Sequence, residues 1–318
     1  MHASLQFLFQ GAQLGLLPLR HRLSQDREVP LPGPSANVRE AQEVERLRLA
    51  FATLPPGPAS SKRLVGVTGA IDYLRRMEPL YKQDLAYIQA AAFGEFARGA
   101  APEIVRLLTS ASIKVHRVVE VGCGAGPLTL ALADAGFEVT AIDISAHLLG
   151  IASATVPTAH FINASVYDEK IPPCEAVLAV GEPLTYHADA AAADNLIQSF
   201  FQLASDVLPV GGILIFDVIE LGEPSLVGKT WSAGEDWAVL VDTKEDQASQ
   251  TLIRNIETFR KIDGGYRRGH ETHTVRLFDT GTLCNRLASV GFVTKTAQAY
   301  GAQRLPPRRR AFFSARGA

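Results

Sequence analysis

Cysteine is scarce in this 318-residue sequence, occurring only as Cys123, Cys174 and Cys284. The three residues form no C-x-x-C pair and show no metal-ligand spacing with a neighbouring histidine. The pattern therefore predicts neither a disulfide framework nor a zinc site, and we expect no metal. This use of cysteine favours a reducing, cytoplasmic location.

Long hydrophobic runs and an excess of one charge are also absent. No apolar run is long enough to cross a membrane. Residues 5–17 are interrupted by glutamines and follow no lysine or arginine, so we expect no secretory signal. With 31 basic and 33 acidic residues, the formal net charge is −2, which predicts neither a nucleic acid nor an acidic membrane surface as partner.

The most informative stretch is glycine-rich and runs from residue 117 to residue 136. It begins β-branched and apolar, places glycines at Gly122, Gly124 and Gly126, and continues with the apolar spacing of a helix. This pattern predicts a strand, a tight turn and a helix. Glycines let the backbone approach a ligand closely, and the free N–H groups of the helix face the same place. We therefore predict a nucleotide-sized ligand at this turn.

A second predicted strand ends in Asp143, whose carboxylate can hold a ribose diol. Dinucleotide sites also place an acid here, but they require G-x-G-x-x-G, whereas the spacing in this sequence is G-x-G-x-G. Glu120 lies two residues before the first glycine, where it would repel a pyrophosphate but can hold an ammonium group. Besides a dinucleotide site and a site for a ligand with an ammonium group, the third interpretation is a glycine turn that binds no ligand.

The run E-V-G-C-G-A-G followed by A-I-D-I resembles motif I and the acidic loop of class I S-adenosylmethionine-dependent methyltransferases. The resemblance implies an α/β fold with a doubly wound, seven-stranded, mostly parallel sheet, Rossmann-like in architecture. It also implies that Glu120 holds the methionine ammonium group of S-adenosylmethionine and that residues 122–126 pass under the cofactor. Asp143 would bind the ribose hydroxyls and Ile144 would lie against the adenine.

The resemblance extends to further cofactor contacts. Residues 78–108 are similar to the helical segment that precedes motif I in small-molecule methyltransferases, and they offer Tyr81, Phe93 and Arg98, the last for the methionine carboxylate. Tyr81 and Phe93 can equally be core aromatics. The loop after the third predicted strand would lie beside the adenine, where either Ser165 or Asp168 reads the base, and we favour Ser165.

The loop after the fourth predicted strand is expected to face the transferable methyl group, because ligands of open α/β sheets lie outside the carboxyl ends of strands. It contains Gly181, Glu182, Tyr186 and His187. We expect Gly181 to contact the cofactor, and Glu182 and Tyr186 to be catalytic by accepting a proton or orienting the acceptor. The loop lacks the Asn/Asp-Pro-Pro-aromatic sequence of enzymes that methylate bases or glutamine amides, which leaves a small-molecule acceptor.

The rest of the sequence predicts a domain over residues 77–318, with an antiparallel β insertion after strand 5. This insertion, at about 230–278, is expected to act as a lid over the active edge of the sheet. His270 and His273 fall on opposite faces of one strand and are expected to be exposed. The last two strands are expected to pair, and Arg308–Arg310 is expected to be a solvated loop. Pro102 suits the first turn of a helix.

Residues 1–76 are predicted to be an N-terminal extension, largely loop, with one amphipathic helix between residues 38 and 54. Met77 stands directly before the segment that resembles the family, and it is a candidate for the natural start. The sequence as a whole predicts methyl transfer from S-adenosylmethionine to a small molecule. The alternatives are an NAD-dependent oxidoreductase, disfavoured by Glu120 and the glycine spacing, and a non-catalytic methyltransferase-like scaffold.

Overall fold

The computed structural model describes residues 80–167, 170–186 and 190–318. The predictions for residues 1–76, for Met77, for Asp168 and for His187 lie outside these described residues. Within them, six α-helices are present: α1 (Gln83–Ala92), α2 (Glu95–Thr109), α3 (Pro127–Asp134), α4 (Ala146–Thr155), α5 (Ala190–Val207) and α6 (Thr280–Ser289). None of the helices in the described ranges combines the length and the apolar character needed to cross a membrane.

Thirteen strands accompany the helices in the described residues. The strands that precede the insertion are β1 (Arg117–Val121), β2 (Glu138–Asp143), β3 (His160–Asn163), β4 (Ala176–Ala179) and β5 (Ile213–Ile219). The insertion supplies β6 (Gly228–Ala233), β7 (Trp237–Asp246), β8 (Thr251–Ile262) and β9 (Gly265–Arg276). The chain ends with β10 (Phe292–Ala297), β11 (Ala299–Tyr300), β12 (Gln303–Arg304) and β13 (Arg309–Arg316).

The main sheet has seven strands in the order β10-β13-β5-β4-β1-β2-β3. Only β13 runs antiparallel to its neighbours, and all other adjacent pairs are parallel. This arrangement confirms the predicted doubly wound, mostly parallel sheet and the pairing of the last two strands. Because β1, β4 and β2 are parallel, their carboxyl ends meet at one edge, which brings the glycine turn, the β4 loop and Asp143 together.

Helices cover both faces of this sheet, as the apolar character of its central strands requires. On one face the core is built by aromatic residues of α5 and of the sheet, and Phe216 stacks on Phe312 with 4.6 Å between ring centroids. On the other face Ile104 of α2 and Leu128 and Leu132 of α3 are buried against β4 and β5. Cys174 is buried, and all three cysteines are free.

The predicted antiparallel insertion is confirmed as a four-stranded sheet in the order β6-β7-β8-β9, which we call the lid sheet. It spans residues 228–276, close to the predicted 230–278. Val239, Val241 and Ile256 of the lid sheet pack against Leu85 and Ile88 of α1. Its first strand, β6, was not predicted because its residues are short, polar or exposed and show no alternating apolar pattern.

Two local predictions were wrong. Pro102 is inside α2 rather than in its first turn, since α2 begins at Glu95 and is held to the sheet on both sides of the proline by buried Ala101 and Ile104. The ring removes the hydrogen bond that residue 102 would donate and crowds the carbonyl of the preceding turn.

The run Arg308–Arg310 is not a solvated loop, because each arginine meets a carboxylate. Arg308 pairs with Glu245, Arg309 with Asp217, and Arg310 with Glu220.

Candidate active site

A cavity of about 510 Å³ opens at the carboxyl edge of the main sheet. Its size falls within the range of about 300–1,000 Å³ that small-molecule sites occupy. Eleven of the twelve predicted site residues contribute to its wall: Tyr81, Arg98, Gly122, Gly124, Gly126, Asp143, Ile144, Ser165, Gly181, Glu182 and Tyr186. The twelfth, Glu120, does not.

The three glycines of the turn differ in what lies next to the position that a Cβ would occupy. All have positive φ angles, but a Cβ on Gly122 would lie 2.2 Å from the Cβ of Pro183, and a Cβ on Gly126 would lie 3.1 Å from that of Ala152. A Cβ on Gly124 would meet nothing within 4 Å. The prediction that all three admit a ligand stays a prediction. A Cβ on Gly124 would point into open space, whereas the absence of a Cβ on Gly122 and on Gly126 also lets the β4 loop and α4 approach the turn.

Asp143 connects the glycine turn to the loop that follows β2. One carboxylate oxygen accepts a hydrogen bond from the backbone N–H of Gly124 and the other from that of Ser145, each at 2.8 Å. Burial raises the pKa of Asp143, and these amide donors lower it in part. Each carboxylate oxygen has a second lone pair, so the side chain can still accept hydrogen bonds from a ribose diol.

Glu120 is buried at the end of β1 and accepts a hydrogen bond from the hydroxyl of Thr129 at 2.5 Å. No ion pair with Glu120 occurs among the described residues. Burial raises the pKa of Glu120 to about 8, against the opposing effect of the Thr129 hydrogen bond. The side chain thus places a carboxyl group without a cation immediately beside the glycine turn.

The remaining predicted cofactor residues are spread around the outer part of the cavity. Arg98 forms a two-point contact with Glu95 on the same helix, and both are largely exposed. Ile144 is 38% exposed at the cavity wall, where it can cover an aromatic ring. The Ser165 hydroxyl accepts a hydrogen bond from the backbone N–H of Tyr167.

The β4 loop carries Glu182 in a left-handed conformation, with a φ of +64°. Its carboxylate accepts a hydrogen bond from Arg254 of β8 at 2.6 Å and lies 3.5 Å from Nη2 of Arg309. Burial opposes ionisation of Glu182, but Arg254 and then Arg309 outweigh burial and hold its pKa below the ordinary value. Glu182 is therefore an ionised carboxylate fixed between two arginines.

Asp217, in the middle of β5, supports this loop from beneath. It is fully buried and accepts four hydrogen bonds, from the backbone N–H groups of Gly181 and Glu182, the hydroxyl of Tyr300 and Nε of Arg309. These bonds fix a turn in which both residues have positive φ. Sequence reasoning missed Asp217, although a lone carboxylate within the apolar run Ile213–Ile219 was a usable signal.

Tyr81 and Tyr186 meet at the inner side of the cavity, their hydroxyl oxygens 2.9 Å apart. Burial raises the pKa of both phenols, so both keep their protons. The ring of His273 lies 5.0 Å from that of Tyr81, and its Nε2 lies 3.0 Å from Glu271. The prediction of an exposed His273 was wrong, since its face of β9 is covered by this cluster, whereas His270 is exposed as predicted.

Comparison with known proteins agrees with this architecture. A family model described as a methyltransferase domain matches residues 118–212. A putative methyltransferase of Bacillus subtilis, YqeM, is 26% identical over 187 residues, which is 55% of this chain and 73% of the relative. The family-model match includes the strand, glycine turn and acid on which the resemblance was based.

Two solved structures are similar in fold. An S-adenosylmethionine-dependent methyltransferase from Clostridium acetobutylicum superimposes with a TM-score of 0.60 at 15% identity, covering 79% of this chain and all of the other. The sugar N-methyltransferase KedS8 from Streptoalloteichus gives 0.56 at 16% identity, covering 84% and 99%. Motif, strand order and family match together support a class I S-adenosylmethionine-dependent methyltransferase, an enzyme with S-adenosylmethionine as its cofactor.

Proposed function

We propose that this enzyme methylates a small-molecule acceptor that binds at the inner end of the cavity, beside the β4 loop. The observation that carries the proposal is that one cavity joins two unlike ends. Asp143 and the glycine turn form the outer end, and Glu182, Tyr186 and Tyr81 form the inner end. A cofactor at the outer end would therefore present its reactive group to a second molecule at the inner end.

The residues at the outer end fit the cofactor. Gly124 and Gly181 have positive φ angles and room for a Cβ, so their backbone forms a cradle that a side chain would fill. Asp143 has free lone pairs for the ribose, and Glu120 places a buried carboxyl group without a cation behind the turn. We propose that this carboxyl group acts on the methionine ammonium group, with Arg98 at the carboxylate, Ile144 at the adenine and Ser165 at the base edge.

When bound, S-adenosylmethionine supplies an electrophilic methyl group on its sulfonium, so the protein must chiefly position the acceptor and exclude water. Glu182 is already ionised and can accept a hydrogen bond from the acceptor's nucleophile. Tyr186 keeps its proton and can donate one. We propose that both residues orient the acceptor. The sugar N-methyltransferase of similar fold supports an acceptor of small-molecule size.

The cytoplasmic location also stays a proposal, supported by three free cysteines, two of them buried.

Isothermal titration with S-adenosylmethionine, S-adenosylhomocysteine and NAD tests the cofactor site. We expect the first two to bind, and Asp143→Ala to weaken binding by about 2 kcal/mol or more, as for the loss of a charged hydrogen-bond acceptor. Asp246→Ala is the matched control, because Asp246 also accepts two backbone N–H bonds, but in the β7–β8 turn outside the cavity. Binding of NAD alone would favour an oxidoreductase, and no binding would favour the scaffold.

Acceptor screening follows on the wild-type enzyme. Small amines, alcohols and acids, including amino sugars, are incubated with S-adenosylmethionine, and S-adenosylhomocysteine release is measured. Turnover of a small molecule supports the proposal. Turnover confined to protein or nucleic acid substrates would contradict it.

A further inference from the structure

Arg309 contributes to the inner wall of the cavity, and one of its nitrogens has no hydrogen-bond partner among the described residues. It begins β13, and its side chain is 6% exposed. Its Nε donates to Asp217 at 2.7 Å, which fixes the guanidinium beside the β4 loop. Its Nη2 is buried without a hydrogen-bond partner, and lies 3.5 Å from Glu182, another wall residue.

We propose that Arg309 is a ligand-binding residue whose Nη2 donates to an anionic oxygen, that of a carboxylate or phosphate, on a molecule in the cavity. A buried donor without a partner is rare in folded proteins, and one at a cavity wall can be satisfied by a ligand. A planar guanidinium with one side already fixed is suited to carboxylate or phosphate oxygens. The proposal rests on the proposed function, because it concerns the same cavity.

Two molecules can supply this oxygen: the cofactor, through the oxygen of its methionine carboxylate that Arg98 does not hold, and an acidic acceptor. Asp143 follows β2 and Glu182 follows β4, with β1 between them, so the two loops are about 10 Å apart at the sheet edge. A cofactor whose ribose lies on Asp143 extends its methionine part along this edge towards Glu182. Arg309 lies at the end of that path, where either oxygen can reach it.

Arg308 provides a matched control from the adjacent position. It is buried, paired with Glu245 at 2.8 Å, and also has an Nη2 without a hydrogen-bond partner. It does not contribute to the cavity wall. Arg308→Lys and Arg309→Lys therefore disturb comparable buried ion pairs, but only the second changes a group that faces the ligand.

The test measures binding of S-adenosylhomocysteine and of 5′-methylthioadenosine, which lacks the carboxylate, to wild type and both lysine variants. If the cofactor supplies the oxygen, Arg309→Lys weakens S-adenosylhomocysteine by about 10-fold to 100-fold, as for a lost hydrogen bond to a charged group. The affinity for 5′-methylthioadenosine stays at its wild-type value, and Arg308→Lys changes the affinity for neither ligand. Thermal melts verify folding, and Arg309→Gln replaces Arg309→Lys if the latter does not fold.

A second arm titrates the wild-type complex with S-adenosylhomocysteine by acetate and by inorganic phosphate. If the acceptor supplies the oxygen, one of these anions binds, Arg309→Lys abolishes that binding, and affinity for S-adenosylhomocysteine is unchanged. The proposal is overturned if neither arm depends on Arg309, or if Arg309→Lys weakens both nucleosides equally. A wild-type protein that binds neither nucleoside would refute the proposed function itself, together with this assignment.

Discussion

The two ends of the cavity use carboxylates in opposite ways. At the outer end Asp143 and Glu120 meet only backbone N–H groups and a hydroxyl, and burial raises the pKa of both. At the inner end Glu182 and Asp217 each meet arginines. The carboxyl groups of the outer end therefore have no cation beside them among the described residues, which suits a cofactor bearing a sulfonium and an ammonium group. At the inner end the arginines balance the carboxylates.

The largest loss of stability is expected when an ion pair of the inner end is broken. Arg254→Met leaves Glu182 buried with only the longer contact to Arg309, and removing one partner of a buried pair costs about 3–5 kcal/mol in the free energy of unfolding. Urea unfolding measures the change.

The control for this variant is Arg268→Met, on the neighbouring strand, whose pair with Glu257 is exposed. We expect no measurable change there, because solvent screens the pair. Equal losses in the two variants would show that the inner end is no more dependent on its ion pairs than the surface of the lid sheet.

A glycine substitution tests the assignment of the outer end to the cofactor. Gly124→Ala places a Cβ in the open space of the cavity at a φ of +57°, so we expect a loss of about 1–2 kcal/mol in stability from the strained backbone. We also expect S-adenosylhomocysteine to bind at least about 10-fold more weakly, because a methyl group then occupies its place. Titration and melting measure both quantities.

Gly136→Ala separates strain from ligand exclusion. Gly136 has a φ of +88°, equal room for a Cβ, and no part in the cavity wall. The stability loss should be similar and ligand affinity unchanged. A loss of affinity in both variants would contradict the assignment of Gly124 to the cofactor cradle.

The same contrast explains what the sequence could predict. Contacts at the outer end join residues close along the chain, since Gly124 and Asp143 are 19 positions apart and Glu120 and Thr129 are nine apart. A single βαβ unit positions them, so its pattern sufficed. Contacts at the inner end join Glu182 to Arg254, 72 positions away, and Asp217 to Arg309, 92 positions away. No local pattern relates such residues.

Misinterpretations arose where tertiary contacts decide burial. Three arginines after two prolines resemble an exposed loop, and only the folded chain brings Asp217 and Glu245 to them. The alternation along β9 correctly places His270 and His273 on opposite faces of the strand. Which face is buried depends on Tyr81, which is far away in sequence. The mostly parallel sheet, which the resemblance implied, and the insertion, which its strand-length apolar runs indicated, were by contrast predicted.

A pH titration tests whether the buried carboxyl group of Glu120 lacks a compensating cation. The pKa of Glu120 is raised to about 8 in the folded protein, above the ordinary value of 4.5 that the unfolded chain has. The folded state thus binds the extra proton between these values, so stability is fully present below pH 4.5 and declines as pH rises towards 8. The slope is at most about 1.4 kcal/mol per pH unit for one group.

Glu120→Gln should remove this slope, measured by urea unfolding at pH 5, 6, 7 and 8 in parallel with wild type. The part due to Asp143, whose pKa is raised in the same direction, stays in both proteins. An unchanged slope in the variant would show that Glu120 is ionised in the folded state, and the contrast between the two ends would then lose one of its two carboxylates.

The smallest change in stability is expected when the hydrogen bond between Tyr81 and Tyr186 is removed. Tyr186→Phe removes a hydroxyl that bonds to Tyr81, which lowers the free energy of unfolding by about 1 kcal/mol. Because this hydroxyl belongs to the inner end, S-adenosylhomocysteine affinity should not change, whereas turnover of an identified acceptor should fall. Tyr266→Phe, on the exposed part of β9, should change none of these quantities. Weakened S-adenosylhomocysteine binding in Tyr186→Phe alone would place the cofactor's methionine part against the tyrosine pair, and the two ends would then form one cofactor site with the acceptor elsewhere.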